Sequence, residues 1–357
     1  MNHAGIGMTD KKDIILFGPG KIGQALCEQL VNAIDRYYLP LRITAIVDSS
    51  GYVHNAAGFT PEQLQKLINA KNEGAPLRTL PESNNTAAIA QHFDLNTILI
   101  DTSNAQALYP VLLKGLKKGC SLVMCNKNNL IQPWPVAEPF YSSANVGYES
   151  TVCAGTPVIA ALRNLVSGFD DVEYIEGCLS GTLNYIFSAL EQDLSYAQAI
   201  ENAHMLGYTE PDPRDDLNGM DTARKALIMA RTVGWPLELD DIEVESLYPE
   251  EFHAYTKDQF FQRLKRLNGY TQQLRQQAMA ESMTLRYVSA VNPNGGFCQL
   301  KAVARDSEYG LLDNTANKLM IHSRVHNHIP LMIAGAGAGA EITALGLMAD
   351  LLNLAGI

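Results

Sequence analysis

The sequence predicts an α/β protein in two parts, a doubly wound parallel sheet in the N-terminal portion and then an α+β domain on a mixed sheet. Three observations carry that expectation. Short apolar runs alternate with helical patterns through roughly the first 145 residues, as buried parallel strands do. A glycine-rich hexapeptide follows the first run directly, at 18–23. Beyond the alternation come small-residue segments and a hairpin signal at 293–296.

Taken in order, Ile14-Ile15-Leu16-Phe17 reads as the first strand and Gly18-Pro19-Gly20-Lys21-Ile22-Gly23 as a turn entering a helix. There Gly18 permits the tight turn, Gly20 lets the backbone approach a pyrophosphate, Gly23 allows close helix packing, and the free amides of the helix start attract the anion. The hexapeptide alone is a weak signal. A second strand, Ile43-Thr44-Ala45-Ile46-Val47, ends in Asp48, about 25 residues past the last glycine, where a carboxylate would meet a ribose hydroxyl. Together they point to dinucleotide binding and a Rossmann-type nucleotide-binding domain; a glycine turn that binds nothing is the plain alternative. A carboxylate at 48 suits the 2′-hydroxyl of NAD and repels the 2′-phosphate of NADP. Ser49-Ser50-Gly51 supplies no arginine to offset it, so the sequence leans towards NAD over NADP. Residues 52–92 read as an insertion with a helix near 61–70.

The next strands, Thr97-Ile98-Leu99-Ile100 and Ser121-Leu122-Val123-Met124, run into the polar clusters Asp101-Thr102-Ser103-Asn104 and Cys125-Asn126-Lys127-Asn128. A crossover helix over 106–118 completes a right-handed βαβ unit. Open parallel sheets bind ligands at the C-terminal strand edge, so Thr102, Ser103 and Lys127 are candidates to face nicotinamide and substrate. For Lys127 a solvated loop lysine is the equal alternative.

After residue 145, a small-residue stretch over 148–159 leads into a helix, and 174–185 reads as strand, loop and helix with polar residues at the turn. Residues 284–291 and 297–305 alternate around Pro293-Asn294-Gly295-Gly296, and the resulting mixed sheet has a solvent-avoiding face that could serve a dimer. The chain closes on Ile333-Ala334-Gly335-Ala336-Gly337-Ala338-Gly339-Ala340-Glu341 and an amphipathic helix over 342–354. Those glycines admit either a close ligand approach or close packing between domains. The expected division is 1–147 for the nucleotide-binding domain, with 1–12 a disordered end, 148–334 for the substrate and dimerisation domain, and 335–357 returning to the first.

Composition removes whole classes. At 357 residues the chain has room for two domains with their own cores. It is 46% apolar and 18% charged, and no run approaches the ~20 apolar residues of a membrane span. A net charge of −11 argues against nucleic acid, which clustered cations hold. Six scattered cysteines lack the Cys-x-x-Cys spacing of a metal site or the density of a secreted scaffold; they read as reduced thiols of a cytoplasmic protein. There is no signal-peptide core in the first dozen residues.

Residues 207–225 concentrate five carboxylates, two prolines and one lysine in a loop that runs into a helix starting at Asn218 or Gly219. Asp221 and Lys225 stand one turn apart on one face, an ordinary surface ion pair by itself and a catalytic pair in the context of the acidic loop.

With these motifs in order, the chain resembles homoserine dehydrogenase along nearly its whole length. Gly18 to Gly23, Asn126-Lys127, Tyr148-Glu149-Ser150-Thr151-Val152, Ser180-Gly181-Thr182-Leu183-Asn184-Tyr185, the 207–225 segment and Gly335-Ala336-Gly337-Ala338-Gly339 carry the resemblance. It implies reversible reduction of L-aspartate 4-semialdehyde to L-homoserine, with Lys225 as general acid, Asp221 orienting it, and Lys127 stabilising the developing oxyanion. Glu210, Asp216 and Asp221 would grip the substrate ammonium, with Gly181 and Thr182 nearby. Gly207 and Gly339 would approach the cofactor through their backbones. The resemblance also implies a monovalent cation, expected to be sodium, on Glu149, Val152, Ala154 and Thr156, largely through carbonyls; Cys153 and Thr156 depart from the usual residue types. A homodimer follows too. Neither an aspartate kinase nor a C-terminal sensing domain is expected, hence a weak response to threonine. His322, His326 and His328 read as surface histidines rather than metal ligands. The alternatives are an aspartate semialdehyde dehydrogenase, which needs an activated cysteine, and a nicotinamide-sensing protein without chemistry.

Overall fold

A computed structural model describes residues 11–80, 83–106, 108–312 and 314–357. The disordered end expected over 1–12 lies outside the described residues up to residue 10; Lys12 already begins the first strand. The chain forms two compact units, Met1–Gly155 with Gly339–Ile357, and Thr156–Ala338. The expected divisions after 147 and 334 fall earlier than these.

In the first unit β1 (Lys12–Phe17), β2 (Leu41–Val47), β3 (Tyr52–His54), β4 (Ser83–Asn84), β5 (Thr97–Asp101), β6 (Ser121–Met124) and β7 (Val146–Gly147) make one sheet in the order β4-β3-β2-β1-β5-β6-β7. The pairs β2-β1, β1-β5, β5-β6 and β6-β7 are parallel. The insertion that the sequence leaves blank supplies the antiparallel edge, β3 and β4. Strand order reverses about β1, so the crevice at its C-terminal end is the topological switch point. Helices α1 (Lys21–Tyr37), α2 (Pro61–Asn72), α3 (Tyr109–Lys117) and α4 (Trp134–Tyr141) connect the strands. Apolar strand residues such as Ile14, Leu16, Ile46, Ile98 and Ile100 pack with Leu26 and Leu30 of α1 and with Leu347 and Leu351 of the C-terminal helix Ala340–Ala355. That helix therefore completes the core of this unit.

In the second unit β8 (Val172–Cys178), β9 (Ile242–Val244), β10 (Met283–Asn292), β11 (Gly295–Ala304), β12 (Ala316–Ser323) and β13 (Leu331–Ala336) are ordered β13-β12-β8-β10-β11-β9. The short β9 is parallel to β11 and the rest are antiparallel, so the sheet is mixed. Helices α5 (Val158–Ser167), α6 (Gly181–Glu191), α7 (Tyr196–Met205), α8 (Arg214–Leu217), α9 (Met220–Thr232), α10 (Lys257–Arg263) and α11 (Asn268–Ala280) accompany it. No helix among the described residues is long and apolar enough to cross a membrane.

Arg286 of β10 is 1% exposed. Its guanidinium donates to the carbonyls of Tyr309, Gly310 and Leu312 and to Glu191 Oε1 at 2.6 Å, pinning the β11-β12 connection. Arg286→Met removes those donors together with the counter-charge of Glu191 and should destabilise the protein by about 3 kcal/mol, the scale for breaking a buried charged network. Urea denaturation measures the loss, and amide exchange should quicken first around 309–312.

Candidate functional site

In the first unit the glycine turn joins β1 to α1. Gly18 has φ +86°, and a Cβ there would lie 2.6 Å from the Ser103 amide nitrogen. A Cβ on Gly23 would meet Gly18 O at 2.5 Å and Thr102 Oγ1 at 2.8 Å, whereas a Cβ on Gly20 would meet nothing within 4 Å. Gly18 and Gly23 are thus forced by the protein itself, and Gly20 faces open space. No side chain caps the start of α1 at Gly20, so the first-turn amides around Lys21 and Ile22 are presented outward, which suits an anion. Pro19, Gly23, Gln24, Ile46, Leu67 and Lys71 line a cleft beside this turn.

Thr102, Ser103 and Lys127 sit just past the ends of β5 and β6. The Thr102 hydroxyl points back into the fold, 2.6 Å from Gly18 O and 3.0 Å from Phe17 O. It braces the glycine turn instead of facing a ligand. Ser103 is held by Asp101, whose Oδ1 accepts the Ser103 amide at 2.9 Å and its hydroxyl at 2.7 Å. Asp101 Oδ2 accepts from Asn126 and Asn129 at 3.1 and 3.2 Å. Burial pushes this carboxyl up, and the four hydrogen bonds oppose that. The loops carrying Ser103 and Lys127 are therefore tied through one buried acid, which sequence reasoning passed over as the first polar residue of a cluster.

Asp48 also differs from the reading of a carboxylate without a nearby cation. Its Oδ1 accepts from Ser50 N, Ser50 Oγ and Gly51 N, and its Oδ2 from Lys71 Nζ at 2.6 Å and Leu77 N at 3.1 Å. Burial raises its pKa, but these bonds outweigh burial and hold it at about 2. Lys71, 23 residues away in sequence, places beside Asp48 a positive charge that Ser49-Ser50-Gly51 lacks.

Around the expected cation segment, Glu149, Val152 and Ala154 belong to the first unit and are buried. Cys153 and Ala154 are consecutive left-handed residues, with φ of 55° and 56°, a conformation costly for side chains other than glycine. Thr156 begins the second unit, its hydroxyl donating to Ala336 O at 3.2 Å.

In the second unit the acidic loop and two helix starts converge. Ser180 caps α6 by accepting from Leu183 N, which sets Gly181 and Thr182 in the first turn. Thr182 Oγ1 lies 2.6 Å from Tyr208 O and 2.9 Å from Asp216 Oδ1; its single proton can go to only one of them. Asp216 Oδ2 accepts the Glu210 amide at 2.7 Å. Burial, together with the neighbouring Glu210 and Asp221, pushes the Asp216 carboxyl up to about 6. Glu210 itself is exposed. Arg214, which the sequence did not single out, anchors this loop: it pairs with Asp212 and donates to the carbonyls of Phe252 and Tyr255.

Lys225 on α9 is 8% exposed, so the reading of an ordinary surface pair with Asp221 does not hold. Its Nζ lies 3.0 Å from Asp221 Oδ2 and donates to Leu179 O at 2.7 Å. The glycine before α9, Gly219, has φ +73°, and a Cβ there would sit 2.0 Å from the Tyr287 hydroxyl. Gly207 has a local explanation. It follows α7 at φ +73°, with Gly207 N bonded to His204 O and Tyr208 N to Ala203 O, the Schellman arrangement of a helix end. Gly339, of the first unit, caps the C-terminal helix at φ +129°.

Five of the six cysteines are not set up as nucleophiles by their surroundings. Burial pushes the thiols of Cys27, Cys125, Cys178 and Cys298 up to about 12 and that of Cys120 to about 11. Acyl-enzyme chemistry needs a thiolate, so these five disfavour the semialdehyde dehydrogenase alternative.

A homoserine dehydrogenase family model matches residues 157–352, and a model of the homoserine dehydrogenase NAD-binding domain matches residues 18–135. A homoserine dehydrogenase of Emericella nidulans is 35% identical over 279 residues, 72% of this chain and 75% of that protein. A bifunctional aspartokinase/homoserine dehydrogenase of Haemophilus influenzae is 33% identical over 352 residues, 96% of this chain; the chain spans 42% of that relative's length. Among solved structures, a hyperthermophilic archaeal homoserine dehydrogenase mutant in complex with NADPH is 23% identical, with a TM-score of 0.73, and the match covers 97% of this chain and 98% of that one; it speaks for the fold.

The contrast between Gly20 and Gly23 can be tested directly. Gly20→Ala should leave thermal stability unchanged while weakening dinucleotide binding about tenfold or more, because its methyl projects where a pyrophosphate approaches. Gly23→Ala should weaken binding and lower the melting temperature together. Cofactor fluorescence titration and a thermal melt separate the two.

Proposed function

Because this chain belongs to the homoserine dehydrogenase family, we propose that it catalyses the reversible, nicotinamide-dependent interconversion of L-aspartate 4-semialdehyde and L-homoserine, in the route to threonine and methionine. The observation that carries this is the buried Lys225, paired with Asp221 beside the carboxylates Glu210 and Asp216. When bound, the NAD(P)H would supply the hydride. The uncapped start of α1 and the open face at Gly20 fit its pyrophosphate, with Ser103 and the backbones of Gly207 and Gly339 as further contacts. Asp48, already bonded to five donors, would mark the ribose end of the site, with Lys71 beside it to meet a 2′-phosphate.

The chain's own groups divide the work by charge. Glu210, Asp216 and Asp221 would hold the substrate ammonium, with Gly181 and Thr182 shaping the floor under them. Lys225 donates a proton to the carbonyl oxygen as it becomes an alkoxide, and Asp221 fixes its direction. Lys127 adds positive charge towards that developing oxyanion, which lowers the barrier if it is pre-placed. A protonated lysine gives its proton readily at neutral pH, so reduction is favoured there and alcohol oxidation improves in alkali.

The same reading takes sodium on oxygens of Glu149, Val152, Ala154 and Thr156. Hard cations prefer oxygen ligands, and the two left-handed residues at 153 and 154 bend the backbone there. It also takes a homodimer through the open face of the second sheet, on which the paired Met320 and Met332 are only partly covered, in a cytoplasmic setting that keeps the thiols reduced.

Purified protein mixed with NADH or NADPH and the semialdehyde should consume the reduced cofactor, and no turnover with either would sink the proposal. Lys225→Met should lose about 10²- to 10⁴-fold in kcat, the range of general acid catalysis, with cofactor affinity retained. For the pH dependence, a carboxyl that titrates at about 6 is neutral below that value and cannot pair with an ammonium. kcat/KM for the semialdehyde, which reports the free enzyme, should therefore fall as pH drops through about 6. In Asp216→Asn that limb should vanish, with a raised KM at every pH.

A further inference from the structure

Leu179, just past β8, offers one carbonyl oxygen to two donors, Lys225 Nζ at 2.7 Å and Asn317 Nδ2 at 3.1 Å. A carbonyl oxygen has two lone pairs, so the two donors fill it. Asn317 comes from β12, 92 residues after Lys225 in the chain, and is 2% exposed. Its other amide atom, Oδ1, accepts from Asn184 Nδ2 of α6 at 3.3 Å, and Asn184 Nδ2 also donates to Ala316 O at 2.8 Å. Gly337 closes the remaining side, because a Cβ there would fall 2.0 Å from Asn317 Nδ2. The Asn317 amide is therefore held on both its atoms and walled in behind.

We propose that Asn317 is a positioning residue for proton transfer: it fixes the Leu179 carbonyl so that the second lone pair anchors the Lys225 ammonium beside Asp221. This rests on Lys225 being the proton donor. A lysine reaches its target through a flexible four-carbon stem with freely rotating donors, so its anchors decide where the proton stands. Asp221 is one anchor and lies on the same helix, while the carbonyl is the anchor on a different element. A side chain that only filled space here would have no need of an amide. The charged group seen at this point is Asp221 on α9, and Asp221 together with Glu210 in turn raises Asp216 on α8.

Asn317→Asp keeps the shape but exchanges the donor for an acceptor and adds a negative charge. It should lower kcat about tenfold or more while leaving the KM for reduced cofactor within about twofold. It should also move the alkaline rise of homoserine oxidation to higher pH, since added negative charge favours protonated lysine. Asn317→Ala should lower kcat without that displacement. Competitive acetylation of Lys225 across pH, read by mass spectrometry, gives a second readout that needs no turnover, and its midpoint should rise in Asn317→Asp. Should Asn317→Asp not fold, Gly337→Ala, whose methyl displaces the amide, must reproduce the loss of kcat with unchanged cofactor KM. A folded Asn317→Asp with wild-type kcat, pH profile and labelling midpoint overturns the proposal, even if its thermal stability falls. A wild-type protein that never turns over the semialdehyde sinks the assigned activity instead, and the Lys225 labelling still decides the role of Asn317.

Discussion

A cation taken out of water must be met inside the protein, and Lys225 is the cation around which the second unit is arranged. Removing one partner of such a charge costs several kcal/mol, because the other is left uncompensated. Asp221 supplies the counter-charge from one helical turn away, so the pair exists only if α9 begins where it does. That start depends on Gly219, whose left-handed backbone is pressed against Tyr287, and Tyr287 in turn is fixed by donating to the Glu245 carbonyl at 2.8 Å. The second partner, the Leu179 carbonyl, is available because β8 ends at Cys178 and α6 begins at Gly181. A strand end, a helix start and a glycine on a third element are thus all conditions of one ammonium position.

The first unit solves a similar problem with opposite charge. Asp48 and Asp101 end neighbouring regions of the sheet, and each carboxylate is saturated by donors from its own unit. Asp48 gathers the 49–51 turn, α2 through Lys71 and the 77 amide; Asp101 gathers the loops after β5 and β6. Strand C-termini leave polar backbone facing a crevice, and a fully bonded acid there rigidifies that edge before any ligand arrives. Preorganisation of this kind lowers the cost of ordering loops on binding.

How much was legible in the sequence follows from how local each signal is. The glycine turn, the hairpin at 293–296 and the Asp221 and Lys225 spacing all rest on neighbours in the chain, and the structure contains them. Asn317, Arg214, Lys71 and Asp101 tie the fold together through partners between 23 and 138 residues away, which no local pattern encodes. The bounds of β12 are not legible in the sequence for a related reason. Its inward positions are Asn317, Leu319, Ile321 and Ser323, and two polar residues at the buried face break the apolar period that marks a strand. The inward asparagine that hides the strand is the one bonded to the Leu179 carbonyl. Thr102 shows the converse failure: the strand end was correctly located, but a sequence does not tell which way a hydroxyl turns.

The acidic cluster also links recognition to protons. Asp216 takes the strain of the cluster: burial, and then the charges of Glu210 and Asp221, push its carboxyl up to about 6. The Thr182 hydroxyl, shared between Tyr208 O and Asp216, suits an Asp216 that carries a proton of its own, since a threonine oxygen that has given its hydrogen to the carbonyl can still accept one. An arriving ammonium reverses the balance. It offers each carboxylate a cation, favours the ionised form and displaces that proton, so binding of an amino-acid substrate and proton release become one equilibrium. A neutral aldehyde without an ammonium group cannot drive that release. On the proposed reading, selectivity for an amino-acid aldehyde over a simple one would arise from the same repulsion that makes the empty cluster unfavourable.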